Sequence, residues 1–192
     1  MNPKLIVRLL SFLVVISLWE FFGRRINPIL FTYPSAVAQA FVSLVASGEL
    51  QSYMTSSLLV LTYASILSIV VGVLFGVVMG RFSVVEWAAD IYISALYSTP
   101  MVAVVPLLVL WFGFKIPAKV VIVFSFMVFP VLLNTFEGVK NVDRNLQEVA
   151  RSFCSSESQL WRHLIIPSAI PFIVAGVRLA IGRGLVGMIV AE

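Results

Sequence analysis

The side chains that could do chemistry in this sequence are few, and no set of them matches a catalytic pattern. Cys154 is the only cysteine and His163 the only histidine, so neither a CxxC pair nor a histidine cluster for a metal can form within the chain. Glu148 and Glu157 lie on a polar segment without the sheltered pocket that acid–base catalysis needs. The phosphate-binding pattern GxxxxGK[ST] is absent. We therefore predict no enzyme activity, no cofactor and no ATP hydrolysis by that route.

Two arginines, Arg178 and Arg183, lie within an otherwise apolar stretch, residues 168–192. A charge at membrane depth costs at least about 2.5 kcal/mol, so it usually faces the interior of a helix bundle or a partner. The two arginines are five positions apart, and at about 100° per residue they point in different directions. At most one of them can face a single lumen. Two interpretations stay open: an anion-attracting site on a translocation path, or a structural pair with an acid such as Glu20 or Glu192.

The composition identifies lipid as the solvent for much of the chain. Of its 192 residues, 60% are hydrophobic and 11% are charged, with a mean hydropathy of +1.05, whereas soluble domains carry about 25% charge. A soluble fold of this size could not bury so much apolar surface. The net charge of +4 is not arranged as a basic patch interleaved with aromatic residues, so no nucleic acid is predicted as a partner. We predict an all-α integral membrane protein with one transmembrane domain over residues 1–192.

Five apolar blocks are long enough to cross a bilayer as helices. They are residues 5–22, 58–80, 91–113, 118–136 and 168–192. The first resembles a signal peptide, but Gly23-Arg24-Arg25 is not a cleavage site, so we predict an uncleaved span. The last block reaches Glu192 without a polar flank. We therefore expect the chain to be truncated at its C-terminus.

The segments between the blocks predict shorter features. Tyr33-Pro34-Ser35 predicts a turn followed by an N-cap, and Gly48 predicts the end of a short surface helix. Residues 81–90 predict a short polar turn. A loop is predicted at Lys115, Pro117 and Lys119.

Two prolines, Pro100 and Pro106, interrupt the block of residues 91–113. Proline removes a backbone donor and clashes with the preceding turn. Thr99-Pro100 predicts the end of one helix and the start of another, with Thr99 as cap and Pro100 at the first position. Broken helices persist at membrane depth only beside protein or a water-filled cavity. This block and the two arginines are therefore the candidate translocation path; the alternative is a proline kink that only shapes packing.

Small residues recur at every fourth position in two of the blocks, and each set shares one helix face. Such faces allow two helix backbones to approach closely. The two sets are Gly72, Gly76 and Gly80, and Gly176, Ala180 and Gly184.

The basic residues predict the orientation of the spans. With a cytoplasmic N-terminus, seven of them lie inside: Lys4, Arg8, Arg81, Lys140, Arg144, Arg151 and Arg162. Four lie outside: Arg24, Arg25, Lys115 and Lys119. This asymmetry agrees with the positive-inside rule. It assigns the long polar interval, residues 137–167, to the cytoplasm.

That polar interval contains a spaced motif. It consists of Glu148-Val149-Ala150, then Cys154, then Leu164-Ile165-Ile166-Pro167. The spacing resembles the EAA loop of importer-type ABC transporter permeases: Glu-Ala-Ala, three residues, Gly, nine residues, then Ile-x-Leu-Pro. Val149 stands in place of the family's alanine and Cys154 in place of its glycine. Because cysteine lacks glycine's easy access to positive φ, a strained or remodelled turn is expected.

Further segments resemble the nitrate/sulfonate/taurine branch of these permeases. They are Tyr33-Pro34-Ser35, residues 46–50, 72–80 and 106–113, and Leu160-Trp161-Arg162-His163 leading into Pro167 and Pro171. Members of this branch usually have six spans, so the resemblance implies that a sixth span is missing beyond Glu192.

The resemblance implies a fold, partners and a function. The fold is that of an ABC type I importer permease in the bacterial cytoplasmic membrane. The partners are a second permease copy (a homodimer), a cytoplasmic ABC ATPase dimer and an extracytoplasmic substrate-binding protein. The expected function is ATP-driven import of a small anion such as nitrate, sulfonate or taurine.

Residues 137–167 would then be the coupling loop, a pair of short helices docked in a groove of the ATPase. The residues expected to contact the ATPase are Glu148, Val149, Ala150, Arg151, Phe153, Cys154, Leu160 and Pro167. The alternative is a secondary transporter or channel that works without an ATPase. Inverted repeats or intramembrane proton relays would favour that alternative, and neither is visible.

Overall fold

The computed structural model describes residues 3–27 and 30–192, and every regular element in that part of the chain is helical. The elements are α1 (Pro3–Gly23), α2 (Pro34–Ser47), α3 (Glu49–Arg81), α4 (Ser83–Ser98), α5 (Met101–Phe112), α6 (Ile116–Lys140), α7 (Arg144–Ser152), α8 (Glu157–Leu160) and α9 (Ile166–Ala191). A π-helical turn, Trp161–Ile165, joins α8 to α9. The predicted all-α class is confirmed. The chain divides into two compact units, Met1–Ser56 and Ser57–Glu192.

Within the described residues, four stretches of helix are long and apolar enough to cross a membrane, or five if the bent pair α4–α5 counts as one span. The four are α1, α3, α6, and α8–α9 taken as one. The prediction of about five spans is therefore confirmed.

Two helices begin earlier than the apolar blocks predict. Helix α3 has 33 residues and starts at Glu49, nine residues before the predicted block. Its first turns are polar but contain neither proline nor glycine, so nothing ends the helix once it has begun after Gly48. Likewise, residues 83–90 are the first turns of α4 and not a polar turn, because only Phe82 leaves helical geometry (φ −115°, ψ 104°).

The same correction applies to the loop predicted before α6. This helix begins at Ile116, with Pro117 in its first turn. Proline is tolerated there because the first backbone N–H groups of a helix have no partner within the helix.

Helices α4 and α5 meet at an angle of 96°. The break falls at Thr99-Pro100 as predicted, but the roles of the two residues differ. Thr99 ends α4 in an extended conformation, and its hydroxyl donates a 2.8 Å hydrogen bond to the carbonyl oxygen of Ala95. Pro100 is the N-cap of α5 and not its first helical residue, because the helix begins at Met101. Pro106 lies inside α5.

In unit Met1–Ser56 one carboxylate links α1 to the start of α2. Glu20 accepts hydrogen bonds from Arg24 Nε at 2.6 Å, from Ser35 N at 3.0 Å and from Ser35 Oγ at 2.7 Å. Ser35 is therefore not an N-cap: α2 begins at Pro34, with Tyr33 in the cap position. Gly48 ends α2 at φ +76°, the left-handed conformation that glycine adopts without strain.

Unit Ser57–Glu192 is built around helices α3, α6 and α9. Its core combines side chains from all three: Val60, Ala64, Val123, Met127, Val131, Ala180 and Met188. The small residues lie at the contacts. A methyl group at Gly72 would lie 2.8 Å from Val131 Cβ, and one at Gly176 would lie 2.9 Å from the carbonyl oxygen of Pro130. The helices approach closely because these positions carry no side chain.

Candidate coupling segment and membrane cavity

The polar interval between α6 and α9 folds as two short helices, α7 and α8, which we call the coupling segment (residues 143–160). Asp143 Oδ1 accepts a 2.8 Å hydrogen bond from Asn145 N at the start of α7. Ser156 and Gln159 form a capping box at the start of α8, with Ser156 N donating to Gln159 Oε1 at 2.8 Å. These local hydrogen bonds explain why so polar a stretch is helical.

The turn between the two helices is a Schellman motif with Cys154 in the left-handed position. Cys154 has φ +55°. Its N–H donates to the carbonyl oxygen of Arg151 at 2.9 Å, and Ser155 N donates to that of Ala150 at 3.2 Å. These two bonds satisfy carbonyls that a helix end leaves free. The turn thus has the form that glycine favours, with a cysteine in glycine's place.

The inner side of the coupling segment is anchored in the core. Leu160 is 2% exposed and belongs to a buried cluster with Val139, Ile165 and Ala169, on which Ala150 also packs. Leu160 was predicted to contact an ATPase. Its side chain is covered by the chain's own helices in this structure, and the contact stays a prediction. Ala150, assigned to the same contact, is half-buried in the same way.

An apolar stripe is exposed on another face of α7. Leu146 and Val149 on α7 and Phe153 at its C-cap follow one another at spacings of three and four residues and so lie on one side of the helix. Val149 is 53% exposed and Phe153 is 83% exposed. Glu148 is also exposed on α7. We call these three apolar side chains the α7 stripe.

Three basic residues near the coupling segment have partners within the chain. Arg151 Nη2 donates to Glu157 Oε1 at 3.2 Å, linking α7 to α8. Lys140 pairs with Glu86, linking α6 to α4. The Arg81 guanidinium lies 4.7 Å from the ring centroid of Trp161 in the π-helical turn. All three basic residues line a cavity of about 370 Å³ behind α7 and α8.

The two remaining residues that were predicted to contact the ATPase are both exposed. Cys154 is a free, exposed thiol. Pro167 is exposed in the first turn of α9.

A second cavity, of about 340 Å³, lies at the break between α4 and α5, and we call it the membrane cavity. Pro100 and Arg183 both line it. Arg183 Nη2 donates to Tyr97 Oη at 2.9 Å, and its guanidinium lies 4.9 Å from the Tyr97 ring centroid. The remaining lining residues are Ser98, Thr99, Met101, Ser125, Phe126, Phe129 and Val186. Pro106 and Arg178 are not among them, so the structure brings together two of the four residues predicted for the path.

The acids considered as partners for the arginines are engaged elsewhere. Glu20 binds Arg24 and Ser35, and Glu192 accepts a hydrogen bond from the hydroxyl of Ser57. In the part of the chain that the structure describes, neither Arg178 nor Arg183 forms an ion pair.

Tyr97 and Leu146 were not among the residues predicted from the sequence. The spacing of Leu146 with Val149 and Phe153 was visible as helical periodicity and could have been found. Tyr97 gave no comparable signal, because it meets Arg183 only through the tertiary fold.

Comparison with known proteins decides the family. The sequence profile of the family described as "Binding-protein-dependent transport system inner membrane component" matches residues 68–192. This match includes the coupling segment and the membrane cavity. The chain belongs to this family.

Individual permeases are similar over most of the chain. A putative aliphatic sulfonates transport permease of Bacillus subtilis is 32% identical over 93% of the chain and 66% of its own length. The corresponding permease of Escherichia coli is 37% identical over 83% of the chain and 60% of its own length. A formylaminopyrimidine transport permease of Halalkalibacterium halodurans is 30% identical over 95% of the chain and 73% of its own length. The chain thus spans about two thirds of the length of these relatives.

These findings confirm the prediction that the chain is an ABC importer permease with the type I permease fold. They also confirm a multi-pass membrane protein of an inner-membrane transport family, and a transport component in place of an enzyme.

Proposed function

We propose that this permease forms part of the translocation path of an ATP-driven importer. In this proposal α7 and α8 dock on a cytoplasmic ABC ATPase, two permease copies and two ATPases make the complex, and an external binding protein delivers the solute. Residues 1–192 form a single permease domain, and its N-terminus is cytoplasmic. The α7 stripe is the observation that carries the proposal.

The α7 stripe has the form of a helix that binds in a groove. Its apolar side chains are exposed on a segment that is otherwise polar, and an amphipathic helix of this kind is a common element of partner recognition. Full burial of a side chain such as Phe153 is worth roughly 1.5–3 kcal/mol. Glu148, Arg151, Cys154 and Pro167 would lie at or near this contact.

The anchoring of the coupling segment supports its role in energy transfer. Leu160 and Ala150 pack on the ends of α6 and α9, so a force on α7 and α8 acts on two membrane helices. The EAA-like spacing lies on the same segment. A secondary transporter, which works without an ATPase, does not require such an exposed coupling segment.

The substrate is proposed to be a small anion. Two of the similar permeases are named for aliphatic sulfonates and one for taurine, whereas another is named for formylaminopyrimidine. Arg183 in the membrane cavity supports an anion among these possibilities.

Two substitutions, one on α7 and one at its C-cap, test the docking. Phe153→Ala removes the most exposed apolar side chain of the stripe, and Glu148→Arg reverses an exposed charge. We expect each variant to reach the membrane at the normal level but to lose at least about tenfold in ATPase co-purification, because truncating a central interface anchor costs about 2 kcal/mol or more. ATP-driven uptake should fall in parallel.

Phe114→Ala is the matched control, because Phe114 is 88% exposed but lies between α5 and α6. It should leave co-purification and uptake unchanged. Undiminished ATPase binding and uptake in both Phe153→Ala and Glu148→Arg would contradict the docking proposal. Uptake that continues without any ATPase would favour the secondary-transporter alternative.

A further inference from the structure

We propose that Arg183 and Tyr97 form an anion-contacting site in the membrane cavity, and that this site makes the path selective for a small organic sulfonate. This inference rests on the proposed transport function and specifies its substrate contact. It assigns the contact to Arg183 and not to Arg178.

The first argument is charge. Arg183 lies well inside α9, an apolar helix long enough to span a membrane, yet its side chain is exposed in the single chain. No described acid pairs with it. An unpaired arginine at membrane depth has to face water, a ligand or another chain. A cavity beside Arg183 satisfies this requirement.

The second argument is the supply of hydrogen-bond donors. A guanidinium has five N–H groups, and the described contacts of Arg183 use one of them, on Tyr97 Oη. Because Tyr97 accepts that bond, its own hydroxyl proton is free to be donated. The nearby hydroxyls of Thr99 and Ser125 already donate to the carbonyl oxygens of Ala95 and Val121, both at 2.8 Å. The Ser98 hydroxyl also lines the cavity and makes no hydrogen bond to another described residue. The donors available to an anion are therefore those of Arg183, Tyr97 and Ser98, of which only Arg183 is charged.

The third argument is the shape of the ligand that this cavity fits. Apolar side chains of Met101, Phe126, Phe129 and Val186 share the lining with these donors. The volume of about 340 Å³ is at the low end for ligand pockets, which are about 300–1,000 Å³. An aliphatic sulfonate has a matching form: three acceptor oxygens on one end and a short apolar chain on the other.

The test uses the full-length permease reconstituted in proteoliposomes with its ATPase and binding protein. ATP-driven uptake of radiolabelled ethanesulfonate, taurine and nitrate is measured. We expect Arg183→Gln to lower sulfonate uptake about 10- to 100-fold, the loss for a hydrogen bond to a charged group. Arg183→Lys should retain an intermediate rate, because lysine keeps the charge without the planar fork.

Tyr97→Phe should lower uptake by about five- to tenfold. Its matched control is Tyr92→Phe, which removes an exposed hydroxyl from the same helix and should have no effect. Arg178→Gln removes the same charge from α9 and should lose less uptake than Arg183→Gln.

A second readout separates this inference from the proposed function. ATPase co-purification, and ATP hydrolysis stimulated by the loaded binding protein, should stay near the wild-type level in the Arg183 and Tyr97 variants. Normal uptake in Arg183→Gln would overturn the inference and leave the transport function intact. Loss of ATPase assembly in that variant would also overturn it, because Arg183 would then be a structural contact. A wild-type complex that accumulates neither ethanesulfonate nor taurine would contradict the substrate class, and one without ATP-driven transport would remove both proposals.

Discussion

At the scale of single residues, Cys154 adopts a left-handed backbone conformation that glycine would adopt with less strain. The sequence motif expects a glycine at this position, and the structure has φ +55° there. An L-residue in the left-handed region carries a cost of roughly 1–2 kcal/mol. The two hydrogen bonds of the Schellman motif and the pair Arg151–Glu157 hold the turn in place. The strain expected from the sequence is therefore localised at one φ angle.

This conformation makes a prediction about stability. Cys154→Gly relieves the left-handed strain but adds freedom to the unfolded chain, which offsets part of the gain. We expect a net stabilisation of about 0.5–1 kcal/mol, measured as a higher midpoint of thermal unfolding for the protein purified in detergent.

Ser155→Gly, one residue later, is the control for that experiment. Among the described residues Cys154 alone has a positive φ without being a glycine, so Ser155 has no left-handed strain to relieve. This control should be neutral or slightly destabilising. A lower unfolding midpoint for Cys154→Gly than for the wild type would contradict the strain at Cys154.

At the scale of elements, the small-residue faces set the distances between α3, α6 and α9. A methyl group at Gly76 would lie 2.7 Å from the carbonyl oxygen of Leu132, and one at Gly80 would lie 2.7 Å from Val139 Cβ. Gly184 faces the side chain of Met127 in the same manner. Backbone atoms cannot move aside as a flexible side chain can. The close packing of these helices therefore depends on glycine, whose side chain is a single hydrogen atom, at these positions.

Gly76→Ala tests this dependence. The added methyl group meets backbone on α6, so we expect a destabilisation of about 1–3 kcal/mol, typical of overpacking. Lower thermal stability and a smaller monodisperse fraction in detergent should both report it.

Gly182→Ala is the matched control on α9. Nothing lies within 4 Å of a methyl group at that position. Alanine is the better helix former by about 1 kcal/mol, so this variant should be neutral or more stable. Equal stability of the two variants would show that the close contact at Gly76 does not constrain the helices.

The elements that could be predicted were those with a local cause. The small residues at every fourth position, the proline break at Thr99-Pro100 and the stop at Gly48 are all written in neighbouring residues. The early starts of α3 and α4 were missed because polar residues are compatible with helix when no proline or glycine intervenes. The burial of Leu160 was missed because it depends on α6 and α9, which contact it only in the folded chain. The contact of Arg183 with Tyr97 joins positions 86 residues apart and has no local trace.

At the scale of the whole molecule, unit Ser57–Glu192 connects the coupling segment to the membrane cavity through continuous helix. Helix α9 follows α8 through a π-helical turn without a break, and it carries Arg183 to the cavity. Helix α6 runs from the cavity residues Ser125 and Phe129 to Val139, which packs with Leu160. From Phe129 to Val139 the rise is about 15 Å. Movement of α8 would thus reach the cavity by rigid elements, and π-helical turns are frequent at functional sites.

The proposed orientation in the membrane is open to a direct test, because the only cysteine in the sequence lies on the coupling segment. The Cys154 thiol is exposed, and the proposal assigns it to the cytoplasm. We expect a membrane-impermeant maleimide to leave it unlabelled in intact cells and to label it in inverted membrane vesicles. Co-expression of the ATPase should slow the labelling, because Cys154 directly follows Phe153 of the α7 stripe and docking would cover both.

Two variants make that labelling experiment decisive. Cys154→Ser should abolish the signal, which shows that no other thiol reacts. In the same background Phe114→Cys places a thiol in the loop between α5 and α6, which the proposed topology assigns to the outside. This second variant should be labelled in intact cells, since Phe114 precedes the span α6 and Cys154 follows it. The reverse pattern would invert the topology and contradict the cytoplasmic docking of α7. If the ATPase does not slow the labelling of Cys154, the orientation would stand but the proposed contact with the ATPase would be contradicted.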